Sequence, residues 1–383
     1  MATAIIASGY CQAKTPRAKH VIFLGFDAMS AYGIQRAETP TFNYMIENGA
    51  VSLDTRCCRK TSSSQNWMSM MCGAPIEMTG VTSNEWTRES HKISPAAVNR
   101  QGIFPTVFDC IREQKPGARM EAYIEWADET RLYDMSVFDK VLCSDAGAKV
   151  WYDADQLLDA AFASYLENEP DLLFVSIDYP DHVGHSSGHE TQDYFDCIHH
   201  MDERVGGFLH ELEARKMLDN AVIIIAADHG GIRSGHGGDS MAELRTPVIM
   251  YGKGVTKGKF MEHANMIYDH AATIAGLLGV TLPDECRGRF MMQAFEPKTA
   301  ACYVPVPLVH PFRGTLKEGD TVSITADIDD AEIYYTLDGS DPTVQSVRYE
   351  GPFSLSESCV VRAVAYRHGN YSEIASNPLS FGE

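Results

Sequence analysis

No stretch of about 18 consecutive apolar residues occurs in this chain, so no segment can cross a bilayer as a helix, and a soluble mature protein is expected. Basic charge is also scarce. Lysine and arginine number 32 against 52 aspartates and glutamates, giving a formal net charge of -20. That balance argues against nucleic-acid polymers and anionic membranes, which select basic surfaces, and it suits a binder of cations. None of the ten cysteines falls in C-x-x-C spacing, which removes the common thiolate zinc and redox motifs. Disulfides stay open in an oxidising compartment, with no pairing readable from the sequence. There is no internal repeat and no low-complexity tract.

At 383 residues the chain fits one large domain and one small one. Residues 1–19, "MATAIIASGYCQAKTPRAK", join an apolar stretch to small residues and a basic segment, which reads as the remnant of a secretory signal and its leader. The expected location is therefore periplasmic or secreted. Residues 20–298 alternate apolar runs with amphipathic stretches. "HVIFLGFDA", "EAYIEWA", "DLLFVSIDYPD", "AVIIIAADHGG" and "TPVIMYGKG" read as buried strands, and helices are expected near 40–48, 104–114, 154–168, 191–216 and 268–279. This predicts a three-layer α/β/α sandwich with a mostly parallel sheet. From 303 to 383 prolines cluster and short alternating segments follow, among them "TVSITAD", "AEIYYTLDG", "GPFSLS" and "CVVRAVAYRHG", which predicts a small all-β sandwich.

Ligands of open α/β sheets collect at the carboxyl ends of the strands, and three predicted strands stop at Asp27, Asp178 and Asp228. Histidines stand nearby: His182 four residues after Asp178, His229 next to Asp228, and His236 in "SGHGGDS". Any one of them has a plain reading as a turn former, a cap or a solvated side chain. Together they form the carboxylate and imidazole set that suits zinc or a similar divalent ion. A serine-rich stretch, "KTSSSQNWMSMM", holds Thr61, Ser62, Ser63 and Ser64 as hydroxyls at the start of a predicted helix, where the positive end of the helix dipole favours a nucleophile.

With D-x-x-D-H-x-G-H, a strand running into A-D-H-G, a later H-G before "ELRTPVIMYGKGV", and "YDHAATIAGLLGVTLP", the segment from about 20 to 296 resembles the alkaline phosphatase superfamily. It is nearest to the type I phosphodiesterase/nucleotide pyrophosphatase branch and to the related phosphoethanolamine transferases. The resemblance implies two divalent metals, of zinc type. One would be held by Asp27, Asp228, His229 and the nucleophile, the other by Asp178, His182 and His236. Family spacing selects Ser63 as nucleophile, because Asn66, Gly73, Gly80 and Asn84 follow it at the expected intervals, Asn84 being the phosphate-binding residue. Asp181 and His185 are expected to orient the ligands, His189 to be solvated, and His199 and His200 to be structural. The C-terminal "IYYTLDGSDPT", "YEGPFSL" and "VVRAVAYRHGNYS" resemble the β-sandwich appended to chitobiase-like hexosaminidases, where it accompanies catalysis; it is assigned no chemistry, and carbohydrate contact stays open.

The implied reaction is hydrolysis of a phosphoric ester through a phosphoseryl intermediate on Ser63, on a small-molecule, glycan-linked or lipid-linked substrate. A diester is favoured, since three aspartates and an alkoxide balance two dications and no extra basic clamp is evident; Arg59 and Lys60 adjoin the nucleophile with no known direction. The alternatives are a phosphomonoesterase or phosphoethanolamine-type transferase and, from a different class, an inactive scaffold carrying a carbohydrate-binding module. A sulfatase is disfavoured because Gln65 and Trp67 occupy the positions where it needs proline and arginine. Only six residues separate His229 from His236, leaving no room for the insertion that shapes a nucleotide pocket. Trp67, Trp86 and Trp126 are candidates to line the cleft, core packing being expected for at least one of them.

Overall fold

In the computed structural model, residues 15–145, 150–296, 304–328, 331–367 and 370–382 are described. Most of the predicted leader, and with it Cys11, lies outside the described residues.

Eight strands form one sheet: β1 (His20–Phe26), β2 (Ala50–Arg56), β3 (Met120–Ile124), β4 (Lys140–Cys143), β5 (Leu172–Ile177), β6 (Ala221–Ala226), β7 (Arg245–Gly252) and β8 (Lys259–Phe260). Their order is β4-β3-β5-β1-β6-β7-β2-β8, and β7 alone runs antiparallel to its neighbours. The central strands are mostly apolar because both faces are covered, with His20 and Ser176 as buried polar exceptions. In β1, Val21 and Phe23 point into one core with Trp67, Phe108 and Ile274, while Ile22, Leu24 and Phe26 point into the other with Phe42, Leu158 and Ile198. Helices Ser63–Cys72, Val107–Gln114 and Asp269–Leu278 cover the first face. Helices Pro40–Asn48, Ala154–Asn168 and Gln192–Ala214 cover the second. The result is a three-layer sandwich.

Helix starts obey local chemistry at Thr106 and Asp153, whose side chains accept N–H bonds from Asp109 and Gln156 in reciprocal capping boxes. Pro40–Asn48 is different: Thr39 makes no side-chain cap, and buried Asp202, from the long helix Gln192–Ala214, accepts from the Thr41 and Phe42 N–H groups at 2.9 and 2.6 Å. β2 and the edge strands β4 and β8 were not among the predicted strands.

Beyond residue 307 the chain is all β. Glu332–Thr336, Cys359–Arg367 and Ala375–Phe381 pair antiparallel, and Leu308–His310 pairs with Ser323–Thr325 around a core that includes Val309, Ile324, Val361 and Leu379. Residues 351–356, expected as a strand, contribute one isolated bridge, Phe353 to Val322. The module rests on the helix layer through Phe312, 5.0 Å from Phe195 between ring centres, and meets the start of β7 through the pair Arg245–Glu373 at 2.8 Å. The eight described cysteines are free thiols. No described helix is long and apolar enough to cross a membrane.

Candidate metal centre and nucleophile

Strand ends and helix starts meet at one edge of the sheet. Asp27 follows β1 and Asp228 follows β6, the two strands pairing side by side, so both carboxylates emerge together. Ala28, at φ 53°, takes the left-handed conformation and turns its N–H toward Asp228 Oδ1 at 3.2 Å. Trp67 Nε1 donates to Asp27 Oδ2 at 2.9 Å. His229 Nε2 lies 3.4 Å from Asp27 Oδ1 and 3.4 Å from Asp228 Oδ2. Ser63, first residue of its helix, places Oγ 3.2 Å from the same nitrogen. Asp27, Asp228, His229 and Ser63 thus converge as the sequence reading placed them.

The second cluster differs from expectation. Asp181, His185 and His236 bring their ligand atoms within 4.8 Å of one another, as do Asp27, Asp228 and His229. His182 is exposed, and its imidazole has no partner among the described residues. Asp178 stands just before the helix Tyr179–Ser187, and its N–H donates to Glu125 Oε2 at 2.7 Å. Neither belongs to a candidate group. The reason is rotational: a spacing of four suits a ligand pair on a helix, and "DYPDHVGH" satisfies it twice, but residues three apart point about 60° apart around the axis. The Asp181 and His185 pair faces the centre.

Four imidazoles share one orientation. Nδ1 of His185, His189, His229 and His236 lies 2.9, 3.0, 2.9 and 2.8 Å from the carbonyl oxygens of Ser234, Arg233, Gly230 and Thr61. A carbonyl only accepts, so each Nδ1 carries hydrogen, and in a neutral ring Nε2 keeps a lone pair directed inward. His189, expected to be solvated, is fully buried. Its ring fills the space where a Cβ on Gly184 or Gly231 would sit, 2.2 and 2.3 Å from the nearest ring atom, so only glycine fits at either position. His199 and His200 lie outside the site, His199 against the Glu38 carbonyl and His200 beside Asp155.

The electrostatics are those of a centre short of positive charge. Burial, with the Asp181 charge adding to it, raises the Asp27 carboxyl to about 7. Burial and the Asp27 charge raise Asp228 well above the usual carboxylate range. Burial and Asp27 raise Asp178 to about 8. Burial also lowers His229 and His236 to about 4, keeping them neutral. Burial opposes ionisation of Asp181 as well, but its imidazole neighbours outweigh this and hold the carboxyl below the usual range, while Asp181 raises His185 to about 9. Asp27 Oδ1, Asp181 Oδ1 and Asp228 Oδ2 are buried without a hydrogen-bond donor. Buried carboxylate oxygens without donors are costly, and a cation at each cluster would satisfy them. The donor set therefore fits divalent metals of the zinc type.

Around Ser63, Asn84 Oδ1 accepts from the Ser64 N–H at 3.0 Å, which leaves its Nδ2 free to donate. Arg131, missed by sequence reasoning, donates to the Asn84 carbonyl and reaches Ser64 Oγ at 3.4 Å. Its guanidinium lies over the Trp126 ring at 5.7 Å, on a short 3₁₀ helix after β3 with no strand-end motif to announce it. Arg59 instead pairs with Asp239, both exposed. Trp67 and Trp86 are buried, and half-buried Trp126 is the tryptophan that packs against Arg131.

The model of the family described as type I phosphodiesterase/nucleotide pyrophosphatase matches residues 21–244, more than half of the chain. The chain belongs to that family. Residues 322–379 match the family described as Fn3 associated, a match that does not establish the chitobiase-type likeness expected for the module. Mouse ectonucleotide pyrophosphatase/phosphodiesterase family member 7 is 21% identical over 239 residues, 60% of this chain and 54% of that protein. GPI ethanolamine phosphate transferase 3 of Schizosaccharomyces pombe is 29% identical over 149 residues, 38% of this chain and 15% of that protein. The chain thus spans about half or less of the length of these curated relatives. The structure of human ectonucleotide pyrophosphatase/phosphodiesterase 5 superposes with a TM-score of 0.59 at 13% identity, over 72% of this chain and 98% of that one, which supports the fold.

Proposed function

We propose that this member of the phosphodiesterase/nucleotide pyrophosphatase family hydrolyses phosphoric esters, diesters foremost, with Ser63 as nucleophile. The observation that carries the reading is the convergence of Ser63 Oγ, 3.2 Å from His229 Nε2, with two clusters whose inward carboxylate oxygens lack donors. Asp27, Asp228, His229 and Ser63 would hold one divalent ion and Asp181, His185 and His236 the other. When bound, such ions supply positive charge that lowers the pKa of the seryl hydroxyl and offsets charge on the phosphoryl oxygens. Ser63 Oγ forms the bond to phosphorus while the bond to the leaving oxygen breaks, and the leaving alkoxide takes up a proton. Asn84, held by its bond from Ser64 N–H, donates through Nδ2 to a non-bridging oxygen. Water then cleaves the phosphoserine, releasing the phosphoryl product and restoring the hydroxyl. Two displacements retain configuration at phosphorus.

Arg131 favours a second reading, hydrolysis of monoesters. Arg131 pairs with Asp128, which is exposed, at 3.3 Å, and its guanidinium beside Asn84 and Ser64 would give a dianionic phosphoryl group positive charge at a place that Arg59, turned to Asp239, does not reach. Export from the cytoplasm is part of the same proposal, supported by the apolar, small-residue and basic pattern of residues 1–19.

The deciding experiment is turnover of zinc-loaded protein on nitrophenyl phosphate, a nitrophenyl phosphodiester and nitrophenyl sulfate. The expected order is diester above monoester with negligible sulfate. Ser63→Ala should lose three or more orders of magnitude of rate, as removal of a nucleophile commonly does, with bound zinc largely retained. Dominant sulfate turnover, or wild-type rates in Ser63→Ala, would overturn the reading.

A further inference from the structure

Where the all-β module meets the helix layer, two cavities of about 180 and 290 Å³ share Arg36 and Phe312 in their lining. Arg36 ends the short helix Ala31–Arg36, is half-buried, and has neither an ion pair nor a hydrogen bond among the described residues. Its guanidinium carbon lies 5.1 Å from the centre of the Phe312 ring, and that of Arg313 lies 5.4 Å from it. Placing a guanidinium in a cleft without a counter-ion is costly, and a bound anion removes the cost.

The two cavities differ in chemistry. The larger contains Arg36, Arg245 and Arg313 against one carboxylate, Glu190, which is 3.8 Å from Arg313. Arg245 is already taken up by Asp54 and Glu373, at 3.1 and 2.8 Å, and Glu190 stands against Arg313, so Arg36 carries the excess charge. The smaller contains Glu38, Asp196 and Asn377. Asn377 is 1% exposed; its Nδ2 donates to the Phe312 carbonyl at 3.1 Å, and its Oδ1 is buried with no donor. One side therefore demands a negative group, and the other, where Glu38 and Asp196 stand with Gln192, His199 and His310, offers Asn377 Oδ1 as an acceptor for a hydroxyl.

The geometry points to a binding site for a hydroxylated carboxylate, a sugar acid of the uronic type, with its acid against Arg36 and Arg313 and a hydroxyl donating to Asn377 Oδ1. The site is separate from the metal clusters, and its ligand need not be the substrate. It adjoins them through Tyr32, which lines the larger cavity and donates to the carbonyls of His189 and Gly231 at 2.8 and 3.0 Å.

Calorimetric titration of the full chain with glucuronate, glucose and propionate tests this. Glucuronate should bind at one site, and glucose and propionate at least tenfold more weakly, because each satisfies only one side. Arg36→Gln should weaken glucuronate at least tenfold with phosphoester turnover unchanged. If that variant does not fold, Arg313→Gln, at a half-exposed position, should weaken glucuronate at least threefold. Absence of glucuronate binding, equal binding by the folded variant, or propionate binding as tightly as glucuronate would each overturn the inference. None of these outcomes depends on turnover by Ser63.

Discussion

At the residue scale the question is which donors face inward. His182 and His185 are neighbours on one helix, and only His185 is turned toward Asp181 and His236, at 3.3 and 3.1 Å through its Nε2. Metal analysis of purified variants should separate them: His185→Ala loses about one of two zinc equivalents at low micromolar free zinc, whereas His182→Ala keeps both. Equal zinc loss from the two variants would return Asp178 and His182 to the ligand set. Arg131 sets a different test. Removing one well-placed donor from a developing anion costs roughly 10²-fold to 10³-fold in rate. Arg131→Gln should therefore lower kcat/KM on nitrophenyl phosphate by about 10²-fold and on the diester by less than tenfold, moving the ratio of the two rates. An unchanged ratio would leave Arg131 with the structural task of holding Asn84.

At the element scale, much of the fold was legible because buried strands announce themselves as unbroken apolar runs. "VIFLGF", "LLFVSI" and "AVIIIA" became β1, β5 and β6, and the carboxylates that end two of them became Asp27 and Asp228 in the centre. β2 was not predicted: "AVSLDTR" carries Ser52, Asp54 and Thr55 in an irregular register opposite β7, which breaks the apolar signature. The second cluster was legible in composition and not in rotation, because periodicity fixes spacing on a helix before tertiary contacts decide which face is buried. His189 was misjudged for a related reason, since its burial depends on Gly184 and Gly231, which lie 5 and 42 positions away in the chain. Distance in sequence also hid the cap of helix Pro40–Asn48, supplied by Asp202. Two hydrogen bonds to a buried carboxylate contribute about 2 to 4 kcal/mol together. Asp202→Ala should lower the urea-unfolding free energy by that amount, and a loss under about 0.5 kcal/mol would show that the helix start needs no such partner.

At the scale of the whole molecule, the site is a concentration of buried acid in a chain that is already strongly acidic. Burial is the first cause of the raised values at Asp27 and Glu125, each about 7, and at Asp178 and Glu129, each about 8. In the unfolded chain these groups return to 3.8 for Asp and 4.5 for Glu, so between pH 5 and 8 the folded metal-free protein holds more protons than the unfolded one. The sign follows: their contribution is fully present below the unfolded values and is lost as pH rises through 7 to 8. Asp181, held below the usual range, is ionised in both states across that window and adds no slope. His185, raised to about 9, adds to the loss, while His229 and His236, lowered from 6.5 to about 4, oppose it in the acid part of the window and are outnumbered by the raised carboxyls. Of the four raised acids, Asp27 belongs to a cluster, beside Asp228, which burial also raises, and a divalent cation there compensates both charges, so zinc should stabilise most where the metal-free protein is weakest. At a free concentration 100 times its dissociation constant, a ligand adds about 2.7 kcal/mol per site. The thermal midpoint of chelator-treated protein should fall from pH 5 to pH 8, and zinc should raise it by several degrees at pH 8 and by much less at pH 5. Calorimetric scans at both pH values, with and without zinc, read this directly. A zinc effect of equal size at pH 5 and pH 8 would mean that metal binding is not linked to these carboxylates, and that the acidic cluster is stabilised by some other means.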